Sequence, residues 1–223
     1  LSSIFRLWLE AGRIERDLMK QGAIASTLAQ ALQEEAPSPE FLEQMRQFIA
    51  DSSNSQRERL GLLGILSYAA TKETVDIVLQ AASTLSDAQA REAAITGVGR
   101  VGRLGGGREK LSPSLERVWH ESHDQNLLIF VAVAMAEVGT PSGIEQLLSA
   151  ALATDGRDEV RARAARGALP KVYTNNAVPP LATRLTDQPP TSEPAKLVAP
   201  ILVKIGDATA GKAVINWLQG TGE

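Results

Sequence analysis

The chain has no cysteine and only 2 histidines among its 223 residues. It therefore has no disulfide framework, no thiolate-ligated zinc or iron–sulfur cluster, and no cysteine nucleophile. Large rings are scarce too: aromatic residues make up 4% of the chain, and Ala, Leu, Val, Ile and Gly take their place. A single thick core normally uses more rings, whereas thin helical layers pack well with Ala and Leu. Charge of one sign is also lacking. Against 26 Asp+Glu stand 23 Lys+Arg, for a net charge of −3 and a pI near 5.6, so no basic excess points to nucleic acid. No run approaches the roughly 20 apolar residues needed to cross a bilayer, and the first residues lack the charged start and apolar middle of a signal peptide. The chain opens at Leu1 rather than Met, which predicts a segment upstream; cytoplasm and export both stay open as compartments. With 43% hydrophobic and 22% charged residues, a disordered chain is excluded.

What the sequence does contain is a repeat. Take Ala36, Ala70, Gly102, Gly139, Tyr173 and Gly206 as anchors; their spacings are 34, 32, 37, 34 and 33 residues. Eight residues before each anchor stand Leu28, Leu62, Ala94, Val131, Ala165 and Val198, and four before stand Leu32, Leu66, Val98, Met135, Leu169 and Leu202. Positions five and one before the anchor are also apolar, Glu35 excepted, which completes the i, i+3, i+4, i+7 stripe of an amphipathic helix. A second stripe follows each anchor at offsets of 5, 8, 9 and 12, for example Val75, Val78, Leu79 and Ala82, or Ile144, Leu147, Leu148 and Ala151. The third unit fits after an insertion of 8 residues over 104–111. Thr71, Thr140, Thr174 and Asp207 directly follow their anchors and are placed to cap the second helix. Gly at three anchors suits the left-handed end of the first. Pro170 and Pro200 fall within first helices and predict bends there.

Two such helices cannot bury their stripes alone, so neighbours must stack. The expected fold is all-α, an α-α superhelix of about six helical hairpins. The units run over about 21–52, 53–86, 87–123, 124–154, 155–188 and 189–220, with residues 1–20 as an N-terminal capping helix before a single repeat domain, 21–223. In that cap, Ile4, Leu7, Trp8 and Ala11 form the apolar stripe, with Arg6, Arg13 and Arg16 between. Covering the next layer is the favoured reading of this helix, ahead of lying on a membrane.

The stretch from Asp158 to Leu169 and the turn Ile205-Gly-Asp-Ala-Thr-Ala210, leading into Val214 to Leu218, resemble HEAT repeats, especially the short bacterial HEAT-like type also found in phycobilisome lyases. The resemblance covers about residues 21 to 220 and implies a scaffold that holds another macromolecule. Deoxyhypusine hydroxylases of this architecture need several His-Glu pairs, and this chain has one, His120-Glu121. HEAT-like DNA glycosylases need a basic groove with aromatic residues, which the charge balance and the few rings oppose. A bilin lyase would need a pocket that the sequence does not reveal.

Three local motifs invite chemistry. Gly97-Val-Gly99-Arg-Val-Gly102 spells a dinucleotide fingerprint, but it closes a helix with no strand before it, so it reads as close helix approach at Gly97 and Gly99 and helix termination at Gly102. Arg100, Arg103, Arg108 and Lys110 surround a glycine-rich insertion that suits either a phosphate group or a solvated loop. Trp119-His120-Glu121-Ser-His123 offers two imidazoles three residues apart without a third ligand, so no metal and no cofactor is expected; Trp119 falls on the core stripe and His120 outside it. The run Arg157, Arg161, Arg163 and Arg166, interleaved with acids, reads as a surface charge lattice.

The frame also names the outward positions on the second helices, which line the concave side in the architecture the chain resembles. They include Arg46, Asp76, Gln80, Glu116, Arg117, His120, Glu145, Gln146, Arg184, Asn216 and Trp217. Mixed signs without a cationic stripe favour a protein partner over nucleic acid. Trp217 is the one large ring off the stripe, either a binding anchor or a cover over the last layer. The expected function is a non-catalytic scaffold whose partner-binding residues are Arg100, Arg103, Arg108, Lys110, Arg117, His120, Arg184 and Trp217. The alternatives are a phosphate or nucleic-acid site on 100–110, and a bilin lyase or other enzyme.

Overall fold

The structure, a computed structural model, describes residues 1–12, 18–85, 88–103, 108–154, 156 and 158–220. Among the described residues it is all-helical, with no strand. Chain contacts divide it into two compact units, Leu1–Val101 and Gly102–Glu223.

The first unit contains α1 (Ser2–Glu10), α2 (Leu18–Glu34), α3 (Pro39–Ala50), α4 (Gln56–Ala69), α5 (Lys72–Thr84) and most of α6 (Ala88–Arg103). First helices stack on first helices, α2 on α4, while second helices stack on second, α3 on α5. Side-chain caps set the starts. Ser38 accepts from the Phe41 N–H, Ser55 and Glu58 form a reciprocal capping box, and the Thr71 hydroxyl accepts from the Thr74 N–H. α1 packs on α2, but it buries Phe5, Trp8 and Ala11, while Leu7 is 54% exposed. The expected stripe through Ile4 and Leu7 is thus rotated by about one residue, because the Phe5 ring finds Trp8 at 6.0 Å, Phe41 at 6.3 Å and Phe48 at 5.4 Å between centroids. Trp8 in turn lies on Gly61, where a Cβ would come within 2.8 Å of the indole. Arg13 and Arg16 lie outside the described residues.

The second unit holds α7 (Arg108–Glu121), α8 (Gln125–Val138), α9 (Pro141–Ala151), α10 (Glu159–Ala168), α11 (Val178–Leu185), α12 (Glu193–Ile205) and α13 (Ala208–Gly220). Here α8 packs on α10, α9 on α11 and α11 on α13. The Thr140 and Asp207 side chains accept from the N–H groups of Gly143 and Ala210, whereas Thr174 accepts from the Asn176 N–H and so caps a 3-10 turn rather than α11, which has no side-chain cap. Left-handed residues end α4, α8 and α12 at Ala70, Gly139 and Gly206, with φ of 52°, 63° and 68°. Gly102 differs from the expectation. It lies inside α6, one residue before its end, and has no positive φ; it is glycine because Val138 presses on it.

Prolines and insertion also depart from expectation. At Pro170 the α-helix gives way to a 3-10 turn, Leu169–Lys171, instead of bending, whereas Pro200 stays inside α12. A second 3-10 turn, Asn175–Ala177, precedes α11 and leaves it only 8 residues long. Residues 108–111 of the insertion form the first turn of α7, with Leu111 fully buried, and 104–107 lie outside the described residues. On α13, Ile215 and Leu218 are each 54% exposed, although the repeat counterparts Leu79 and Leu148, Ala82 and Ala151 are buried; no described helix follows to cover them.

Gly139 and Gly206 separate two effects. Both adopt the left-handed conformation, but a Cβ on Gly139 also runs into the Thr174 methyl, while one on Gly206 meets only carbonyl oxygens at 3.5 and 3.7 Å. Gly206→Ala is expected to cost about 1 kcal/mol of unfolding free energy by urea titration, and Gly139→Ala at least twice as much.

Candidate functional site

The outward faces of the second helices are polar in both units, and in the second unit they are knitted together. Glu116 on α7 receives three hydrogen bonds. Its Oε1 accepts from the Ser112 and Ser142 hydroxyls, each at 2.5 Å, and its Oε2 accepts from the Gln146 amide at 2.7 Å. Ser112 has a single proton, which it gives to Glu116, so in the 2.5 Å contact between Ser112 and Thr140 it is Thr140 that donates. Thr140 accepts from the Gly143 N–H at 3.3 Å. The donors thus run in one direction, from the first turn of α9 into a carboxylate on α7. The carbonyl oxygen of Gln146 is buried beside this chain without a partner among the described residues.

One helix further on, Arg184 of α11 forms an ion pair with Glu145 of α9 and donates to the Ser149 hydroxyl at 3.0 Å. Beyond it, the Trp217 indole N–H donates to the Gln188 carbonyl at 2.6 Å and so ties α13 to the loop after α11. Next to this bond a groove of about 740 Å³ opens between α11 and α13, lined by Thr186, Asp187, Pro189, Lys212, Asn216 and Trp217. Trp217 therefore both fastens the loop and walls the groove. In the first unit, Arg46, Gln47, Ile77, Gln80 and Thr84 line a smaller groove of about 230 Å³ between α3 and α5, and Arg46 pairs with Glu43 at 3.4 Å.

The residues of the basic cluster divide between the two units, Arg100 in the first and Arg103, Arg108 and Lys110 in the second. Arg100 is exposed on α6 in the first unit, and Lys110 is exposed on α7 in the second. Arg108 is held inward: its Nε donates to the Gly102 carbonyl at 2.9 Å, and its Nη2 to that of Arg103 at 3.5 Å, closing the end of α6. The Arg103 guanidinium lies 6.0 Å from the centre of the Tyr173 ring. Burial there raises the Tyr173 phenol above its ordinary value, against the opposing pull of Arg103 and Arg108. Arg117 and His120 are exposed on α7. Trp119 is buried, and among the described residues no three His, Asp or Glu side chains converge as metal ligands.

The charge lattice read from 157–166 is present in the ion pairs Arg161–Asp158 and Arg166–Glu159, the latter at 3.8 Å, but both arginines also bond to backbone carbonyls of earlier helices. With its side chain only 17% exposed, Arg161 donates to the carbonyls of Trp119 at 2.8 Å, His120 at 3.0 Å and Ser122 at 2.7 Å, and it sits 5.8 Å from the Trp119 ring. Arg166 donates to the Ala151 carbonyl at 2.9 Å. Each arginine closes the C-terminal end of an earlier helix, a role that local charge pattern does not reveal. Arg157 lies outside the described residues.

No protein-family model and no characterised protein matches this chain.

Two measurements check the geometry. Arg161→Lys keeps the charge but loses the planar fork, and it is expected to cost about 1–3 kcal/mol in urea unfolding. Asp158 carries a pH dependence: the Arg161 backbone N–H, and then its side chain, hold this carboxyl below the ordinary value of 3.8. Its stabilisation is therefore full above that value and disappears as pH falls through the lower folded value. Asp158→Asn is expected to flatten this part of the acid-unfolding curve and leave the neutral region parallel to the parent.

Proposed function

We propose that the chain is a non-catalytic HEAT-like solenoid module that binds a protein partner along the polar faces of its second helices. The single observation carrying the reading is the row itself. From α7 through α9 to α11, charges of both signs and neutral hydrogen-bonding groups occupy adjacent outward positions, and a wide groove continues the row beside Trp217. A surface of this kind suits a polar polypeptide, which can satisfy donors and acceptors in turn, better than a nucleic-acid backbone, which asks for like-signed cations. The stacking of first helices on first and second on second within each unit supports the solenoid part of the proposal. A phosphate site on 100–110 is the weaker reading, because Arg103 and Arg108 already serve the ends and rings of the fold.

His120 and Asn216 are exposed members of the row on two different second helices of the same unit. Crosslinking to native extract with the parent chain is expected to capture a specific partner, whose yield drops at least tenfold with His120→Glu and Asn216→Arg combined. Undiminished capture by the double variant, or turnover of a small molecule by the purified chain, would reject the proposal.

A further inference from the structure

α8 carries no charged residue from Gln125 to Ala136. A helix apolar on every side is normally buried all round, and most of α8 is: Leu127, Leu128, Val131 and Met135 are covered. Ile129 and Val133, one turn apart on the outer face, break this pattern, with Ile129 46% exposed and Val133 half-buried. The repeat register does not account for them. The position of Ile129, ten before the anchor, is held in the other units by Ser26, Leu60, Glu92, Arg163 and Lys196; that of Val133, six before, by Gln30, Gly64, Thr96, Gly167 and Pro200.

These two side chains form one wall of a groove of about 380 Å³ between α8 and α10, and Val160, Ala164 and Gly167 lie along the other. Gly167 keeps it open, since a Cβ there meets nothing within 4 Å. The charged residues lining the groove are Arg163 and Lys171, both exposed, and neither side chain has an ion pair or hydrogen bond among the described residues. Among the described residues no acidic side chain lines it. Along α10 and the 3-10 turn that follows, eight residues separate the two cations, about 13 Å at helical rise.

We propose that this groove seats a helix of a partner protein whose apolar stripe is flanked by acidic residues about two turns apart. The apolar floor takes i, i+4 side chains, and the two separated cations set the charge pattern. A small monoanion would satisfy only one of them, whereas carboxylates at i and i+7 or i+8, about 11–12 Å apart on a helix, reach both. The surface lies on the first helices and does not rest on the reading of the second-helix row.

The test uses the full chain and a fluorescein-labelled, stapled 15-residue peptide with Leu at i, i+4 and Glu eight residues apart, beside a control with both Glu replaced by Lys. Anisotropy is expected to give micromolar binding of the Glu peptide alone, weakening as salt rises. Gly167→Leu fills the groove and introduces a better helix former, so a melting temperature at or above the parent's is expected with at least tenfold weaker binding. Arg163→Glu with Lys171→Glu is expected to reverse the preference toward the Lys peptide. The proposal is overturned if neither peptide binds at 0.1 mM, if Gly167→Leu and the charge reversal leave binding unchanged, or if the chain associates with phosphatidylglycerol vesicles and not with the Glu peptide.

Discussion

Every α-helix ends in carbonyls that no amide of its own can reach, and a chain built from short helices meets that cost at each hairpin. Here long cationic side chains from elsewhere in the fold answer it. Arg108 closes α6, Arg161 closes α7 and Arg166 closes α9, while Lys204 reaches the Pro170 carbonyl at 2.5 Å. These bonds are charge-assisted and sit at the negative end of the helix dipole, so each combines electrostatics with hydrogen bonding. They also explain the surface chemistry. Arg108, Arg161 and Arg166, which look in sequence like members of a basic loop or a charge lattice, direct hydrogen bonds to helix ends, while Arg100, Lys110 and Arg163 stay exposed.

Much of the local structure was legible in the sequence. The apolar offsets locate the helices, and the Thr71, Thr140 and Asp207 caps sit where short polar side chains after an anchor must sit. Those signals are local: a helix period and a short polar side chain three residues before an amide are fixed by the chain's own geometry. What escaped depends on distant partners. Phe5 displaced Leu7 because two rings of α3, Phe41 and Phe48, met it, Gly102 is glycine on account of Val138, and Arg161 finds carbonyls 39 to 42 residues away. The candidate site divides the same way. Outward positions such as Glu116 and Arg184 follow from the frame, whereas the one-way chain through Ser112, Thr140 and Ser142 requires α7 and α9 side by side.

The two proposed docking surfaces rest on different chemistry. The second-helix row is polar and internally bonded, so a ligand there exchanges hydrogen bonds without burying much apolar area, which favours specificity over affinity. The groove between α8 and α10 has the opposite balance, an apolar floor with charge at its edge, so the proposed helix would gain its free energy from burial and its register from the cations. Both lie in the unit Gly102–Glu223, on different sets of helices.

Arg161 has a consequence for how this unit opens. It fastens the end of α7 to the start of α10, and the whole α8–α9 hairpin lies between those two points of the chain. The hairpin is thus enclosed by a non-covalent loop fastened at one guanidinium, with α8 packed on both α7 and α10. It cannot swing away while that fastening holds, so fluctuations that expose its amides become collective events of α7 to α10 rather than fraying of a single repeat. Through one side chain, four consecutive helices, α7 to α10, become a block that opens as a whole.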